Sequence, residues 1–313
     1  MDKQIAVLLL AYGTPANLDE VEAFYTHIRR GNPPTKELLL ELVDRYEAIG
    51  GCSPLIEITH EEARLLEEKL NSNSNLGVHF KVYIGMKHCV PYIADAVDQF
   101  VNDGVDAAVG IVLAPHYSTM SVGVYEREAK EAAFARQFNE IAFVENWHLE
   151  QSFLDALEER LRTAMAQFTT EETAYLKLIF SAHSLPQRIL DQGDLYPEQL
   201  LETSRALAMR LGWEDWQFAW QSAGRTKEPW LAPDILTVLD TLADSGYRAV
   251  IDCPVGFVSD HLEVLYDLDI EAKKHAETRQ MHFERTASLN ADQRLIAALA
   301  HSILSACESR DWV

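Results

Sequence analysis

Residues 3–15 read KQIAVLLLAYGTP, and residues 178–186 read LIFSAHSLP. Each is an apolar run that stops at a ring-bearing residue, Tyr12 or His183, and then turns at a proline. An apolar run this short, closed by a turn, fits a strand buried on both faces, which is how parallel strands under helices read. The same kind of run recurs at Val78–Ile84, Ala107–Leu113, Ile141–Val144, Phe218–Gln221 and Ala249–Cys253, and the two opening strands are Ile5–Ala11 and Leu176–Ser181. Between them lie helix-length segments with polar starts and glycine ends. Thr35–Ile49 runs into Gly50 and Gly51, Pro91–Asp103 ends at Gly104, and Asp234–Ser245 ends at Gly246. Strand and helix in alternation predict a doubly wound α/β architecture.

The halves of the chain echo each other. DGVDAAVGIVLAPHYST (103–119) resembles SGYRAVIDCPVGFVSD (245–260), as LLLAYGTP resembles LIFSAHSLP. This repeat predicts two Rossmann-like domains, each a doubly wound parallel sheet, facing each other across a cleft. The division falls at residues 1–148 and 149–313, with a last helix at about 291–309 that packs back on the first domain. The stretch 71–77 reads as a polar loop.

Composition narrows the function. Of 313 residues, 48% are hydrophobic and 24% charged, enough for a full core and against disorder. A formal net charge of −22 repels phosphate backbones, so nucleic acid is not an expected partner. Such a field gathers cations, although solubility alone accounts for much of it. Cys52, Cys89, Cys253 and Cys307 are scattered without a Cys-x-x-Cys pair, which fits neither a zinc site nor a disulfide scaffold. The apolar start lacks the form of a signal peptide, and no run reaches the ~20 residues that span a bilayer. A cytoplasmic protein without an integral membrane segment is expected, and a monomer.

Chemistry in α/β proteins sits where strands end. The strand exits carry Tyr12, His88, His116, His183 and Ser222, then an acidic run from Asp260. No Gly-x-Gly-x-x-Gly or Walker A loop is present to cradle nucleotides, and no Gly-x-Ser-x-Gly elbow or His-Glu-x-x-His motif appears. His183 is either an ordinary strand-end histidine or a neutral imidazole that takes a proton or binds a borderline metal such as Fe²⁺. Glu263, Asp267 and Glu271 follow at steps of four, and on an α-helix each such step drifts only about 40° round the axis. They form either a solvated face or an acidic ladder that passes a hydrated cation inward. Apolar Leu262, Val264 and Leu265 beside Glu263 favour the second, since a carboxylate there needs a partner. Arg29, Arg30 and Arg45 are either helix-end charges or partners for an anionic ligand's carboxylates.

Taken together, AYGTP (11–15), YTHIRRG (25–31), DRYEAIGGCSPL (44–55), YIGMKH (83–88), IVLAPHYS (111–118), SAHSLP (181–186), WQS (220–222), EPWLAPD (228–234) and PVGFVSDHLEVLYD (254–267) resemble the ferrochelatases along nearly the whole chain, and within them the short Gram-positive coproporphyrin III type. The resemblance implies a lyase of heme biosynthesis with a chelatase-like fold that inserts ferrous iron, its substrate, into a porphyrin. Coproporphyrin III is expected ahead of protoporphyrin IX. By the same resemblance His183 and Glu263 are the paired catalytic and iron-site residues, whether His183 acts as proton acceptor or as first iron ligand. Tyr12 reaches the metal from the opposite side. Arg29, Arg45, Tyr46, Ser53 and Tyr125 hold the macrocycle or its propionates, and Lys87 and His88 stand at the cleft. Asp267 and Glu271 belong to an acidic row linked to metal entry or to an outer Mg²⁺. No iron–sulfur cluster is expected. Cys52, Ala223 and Cys253 depart from the family motifs without removing a ligand. The alternatives are a cobalt-type tetrapyrrole chelatase and a heme- or metal-binding module without turnover.

Overall fold

The computed structural model describes residues 3–72 and 77–313; most of the polar loop expected at 71–77 lies outside these residues. The first unit runs β1 (Lys3–Ala11), α1 (Val21–Ile28), α2 (Lys36–Ala48), α3 (Leu55–Asn71), β2 (Val78–Met86), α4 (Ile93–Asp103), β3 (Ala107–Val112), α5 (Val122–Ala135) and β4 (Ile141–Val144). The second runs α6 (Gln151–Met165), α7 (Thr170–Thr173), β5 (Leu176–His183), α8 (Arg188–Asp191), α9 (Tyr196–Leu211), β6 (Trp216–Gln221), α10 (Ile235–Asp244) and β7 (Ala249–Cys253). A π-helical stretch (Val264–Ala272), α11 (Lys273–Thr278), β8 (His282–Arg285) and α12 (Gln293–Glu308) complete it. Two four-stranded sheets form, in the orders β2-β1-β3-β4 and β6-β5-β7-β8. All their pairings are parallel. The orders are the same when each half is counted from its own first strand, so the sequence repeat is a structural one.

The continuous apolar run of β1 is explained by its position. Ile5 through Leu10 are fully buried, odd residues on one face and even residues on the other. Burying Leu8, Leu9 and Leu10 in this way stabilises the fold by about 2 kcal/mol each. The face of Ile5, Val7 and Leu9 joins a core that continues through α3, α6, α9 and α12 to Leu176, Leu178 and Phe180 of β5. The two sheets therefore share one hydrophobic core. Helix α12 contacts α3, β3 and β4 as well as α6.

Helix ends follow the expected chemistry. Thr35 caps α2 through Leu38 N, Asp234 caps α10 through Leu236 N, and Gly104 closes α4 in the left-handed region. Two findings differ from the sequence reading. Strand β8 was not expected, since HFER has a single buried residue, Phe283. The α-helix expected through Glu263, Asp267 and Glu271 is π-helical over Val264–Ala272. Its buried Val264, Leu268 and Ala272 recur at strict steps of four and stack on one core.

Candidate active site

The central strands of both units deliver side chains to one site. Strand β1 ends at Ala11, and the chain turns at Gly13, whose φ is +87°. A Cβ there would lie 2.5 Å from Cys89 Sγ, so only glycine permits the turn that presents Tyr12. Strand β5 delivers His183. Beside it, Gly256 lets the turn after β7 lie against Ala182, 2.6 Å from where a Cβ would stand. That turn leads to Glu263.

His183 Nε2 lies 3.5 Å from Glu263 Oε1. The other ring nitrogen, Nδ1, is hydrogen-bonded to the Ser184 carbonyl, which orients the imidazole. Burial opposes charge on the histidine, but the Glu263 carboxylate outweighs it and raises His183 to about 9. Burial likewise opposes charge on Glu263, yet His183 and then His261 bring its carboxyl well below the usual range. The resting pair is thus an imidazolium facing a carboxylate. His261, missed in the sequence reading, stands with Nε2 3.8 Å from Glu263 Oε2 and Nδ1 2.9 Å from the Ser259 carbonyl. The signal was a histidine two positions before Glu263 in the DHLE run.

Tyrosines surround this pair. Tyr12 is 45% exposed, and its ring lies 4.5 Å from that of His88. Burial of the phenol and then Glu263 raise its pKa. Tyr46 is buried, with its hydroxyl 3.1 Å from Thr14 Oγ1, and burial chiefly pushes it up to about 12. Tyr196 donates to the His183 carbonyl at 3.1 Å.

The acidic row is most buried at its middle residue and reaches the surface at its far end. Glu263 is half-buried, Asp267 is buried and Glu271 is exposed. Asp267 already has partners: Arg45 Nη1 lies 3.0 Å from Oδ1, and Ser222 Oγ donates to Oδ2. Burial and, more weakly, Glu263 raise Asp267 to about 6 against the opposing effects of Ser222 and Arg45. The Arg45 guanidinium also lies over the Tyr266 ring at 4.7 Å, tying α2 of the first unit to the π-helix of the second. Among the described residues no group of three or more His, Cys, Asp and Glu side chains stands ready to hold a metal ion. Of the expected metal set, His183 and Glu263 pair, Asp267 is engaged by Arg45, and Glu271 stands apart at the surface.

The remaining expected residues divide. Lys87 lies over the buried Tyr125 ring at 4.8 Å and is lowered by burial. It also lines a cavity of about 480 Å³ with His27, Tyr92 and Glu128. His88 meets His27 at 3.0 Å, and burial followed by Lys87 lowers it to about 4, so it is neutral. Ser53 is buried, its Oγ accepting from Leu55 N at the start of α3. Arg29 and Arg30 are exposed at the end of α1, and Arg29 reaches Tyr25 and Asn32 rather than the His183–Glu263 pair.

Two parallel sheets of matching strand order, with His183 at the end of β5 paired to Glu263 beyond β7, define a chelatase-like α/β protein. The sirohydrochlorin chelatase SirB from Bacillus subtilis subspecies spizizenii, solved with cobalt, matches with a TM-score of 0.60 over 99% of this chain and 97% of that one, at 10% identity. SirB from Bacillus subtilis with Fe³⁺ gives 0.62, covering 99% and 98%, at 12% identity. These likenesses concern the fold. The ferrochelatase family pattern matches residues 4–306, and this chain belongs to the ferrochelatase family. It is 46% identical over 299 residues to a protein named coproporphyrin III ferrochelatase from Halalkalibacterium halodurans, covering 95% of this chain and 96% of that one. The protein of the same name from Bacillus subtilis strain 168 is 44% identical over 303 residues, covering 96% and 97%. The chain is therefore a lyase of heme biosynthesis whose substrates are ferrous iron and a porphyrin, in place of the cobalt-type and non-catalytic alternatives. Among the described residues no helix is long and apolar enough to cross a membrane.

Proposed function

We propose that the chain inserts Fe²⁺ into coproporphyrin III, in a cleft between residues 1–148 and 149–313, with His183 and Glu263 at the metal. The observation that carries this reading is the 3.5 Å His183–Glu263 pair at the end of β5, ringed by Tyr12, Tyr46 and Tyr196. A porphyrin hides its pyrrole nitrogens in the ring plane and holds two protons. Insertion needs the ring bent, those protons accepted and the iron stripped of water. Fixed walls turn binding energy into distortion of the ring.

Charge bookkeeping orders the steps. An imidazolium cannot accept a pyrrole proton, so the His183 proton must leave first. An arriving dication lowers the affinity of His183 for its proton and is drawn by the Glu263 carboxylate. Neutral His183 then either takes a pyrrole proton or binds the iron. Tyr12 approaches the metal from the other wall of the cleft. Its Tyr12→Phe variant is expected to keep inserting iron while the visible spectrum of the bound product, once oxidised by air to the ferric state, changes. Lost insertion with an unaltered product spectrum overturns that role.

The preference for coproporphyrin is supported by relatives that carry it in their names at 44–46% identity. It is supported too by Arg29, Arg45, Tyr46, Ser53, Lys87, His88 and Tyr125 as donors for several propionates. As the side chains stand, a propionate reaching Arg45 competes with Asp267. An outer magnesium does not fit the same residues, since Arg45 and Ser222 already hold Asp267, and no step runs through it. The reading also places the enzyme in the cytoplasm as a monomer without an iron–sulfur cluster. The decisive assay is anaerobic Fe²⁺ insertion without detergent. kcat/KM is expected to favour coproporphyrin III over protoporphyrin IX by at least about tenfold, and Arg45→Ala to shrink the gap. Equal values, or the reverse order, refute the substrate while leaving iron insertion standing.

A further inference from the structure

Glu62 is a buried carboxyl for which the insertion chemistry has no use. It lies on α3 at 0% exposure, on the helix whose start is framed by Ser53. Its Oε1 accepts a hydrogen bond of 2.6 Å from Ser259 Oγ, linking the first unit to the turn after β7. Among the described residues its Oε2 has no hydrogen-bond partner, and neither has Thr59 Oγ1, one turn earlier on the same helix. Burial pushes Glu62 up to about 8 against the opposing Ser259 hydrogen bond, so it is mostly neutral at pH 7.

A carboxyl with one bonded and one bare oxygen is a poor way to stabilise a core, because a leucine there would bury no unpaired polar atom. The linkage beyond it is more informative. The Ser259 hydroxyl is held by Glu62, and the Ser259 carbonyl receives His261 Nδ1 at 2.9 Å. That bond turns His261 Nε2 toward Glu263 Oε2, 3.8 Å away. A backbone carbonyl does not pass a proton on, so the connection is mechanical.

We propose that Glu62 is a positioning residue, which through Ser259 fixes the orientation of His261 and with it the Glu263 carboxylate. It thereby ties the iron pair to α3, and so to the Ser53 end of the cleft. The inference rests on the proposed iron-site reading of Glu263, and its test includes a measurement independent of turnover. The variants are Ser259→Ala, Glu62→Gln, Glu62→Leu and the double Glu62→Leu/Ser259→Ala, each made in the full chain. Side-chain ¹⁵N NMR of His261, assigned by loss of its signals in His261→Gln, reports the Nδ1 hydrogen bond.

Ser259→Ala and Glu62→Leu are each expected to shift the His261 Nδ1 signal. Each should also lower kcat by about tenfold, with KM for coproporphyrin III within about twofold. Glu62→Gln keeps the acceptor for Ser259 and should restore both the signal and kcat. The double variant should match the single ones, since both break one link. Where Glu62→Leu fails to fold, Ser259→Ala with Glu62→Gln carries the comparison. An unmoved His261 signal overturns the proposal, as do additive losses in the double variant or a Gln variant as damaged as the Leu. If the unmodified chain inserts no iron, the functional reading fails, and the His261 signal still decides the role of Glu62.

Discussion

Replacing Glu263 with glutamine is expected to lower iron insertion by about 10²- to 10³-fold while porphyrin affinity stays within about threefold. The amide has nearly the shape of the carboxylate, so the cleft keeps its walls. What it loses is the negative charge between two imidazoles, His183 Nε2 at 3.5 Å and His261 Nε2 at 3.8 Å. That charge raises His183 to about 9, and it meets the dication as its waters leave. Without the charge His183 loses its proton more readily, which by itself would help; the missing anion at the dication belongs to the chemical step and is expected to outweigh it, so kcat should fall and ground-state binding should not. Anaerobic turnover, with porphyrin fluorescence quenching for affinity, separates the two. Turnover near that of the unmodified enzyme would sink the assignment. So would a loss explained wholly by weaker porphyrin binding.

His183→Ala should be at least as damaging, about 10³-fold, because it removes the proton acceptor or the first iron ligand outright. The pH profile of the unmodified enzyme carries a second signature. With His183 raised to about 9, the free enzyme holds the proton at pH 7. A group that must be unprotonated to act gains activity as pH climbs toward its pKa. kcat/KM, which reports the free enzyme, should therefore rise about tenfold per pH unit from pH 7 and level off near 9. The residual activity of the alanine variant should lack that limb. A flat profile across this range, or the same limb in the variant, would show that some other group sets the rate.

Much of this architecture was legible because burial on both faces leaves a sequence mark. Ile5–Ala11 and Ala249–Ile251 are apolar at successive positions for that reason, and both lie in central strands. Capping residues such as Thr35 and Asp234 marked helix starts equally well. Strand β8 left no such mark, having one buried residue among four. The π-helix was hidden differently. Moving the backbone hydrogen bonds by one residue does not change which side chains are apolar, and the four-residue spacing of Val264, Leu268 and Ala272 suits an α-helix equally well, so nothing in the sequence marked it.

The candidate site divides along similar lines. Tyr12 and His183 could be picked out because strand ends concentrate chemistry. Pairing could not: the Arg45–Asp267 contact joins residues 222 positions apart, and spacing says nothing about it. It changes what both residues have to offer, since an arginine read as a propionate partner and an aspartate read as a metal ligand neutralise each other. Arg29 shows the converse, being one of the expected porphyrin partners yet bonded to the Asn32 carbonyl at the exposed end of α1.

The shared core has a consequence for how the chain comes to be assembled. Helix α12 covers α3, β3 and β4, yet its residues, Gln293–Glu308, are synthesised long after β4 (Ile141–Val144). The first sheet can pair its strands early, but the face that ends beneath α12 stays wet until the second unit has been made and α12 has emerged. Completion of the N-terminal unit thus waits on the C-terminal one, and a nascent chain halted midway displays apolar surface that chaperones recognise. Two units that look repeated in sequence are, in the order of their making, a single event.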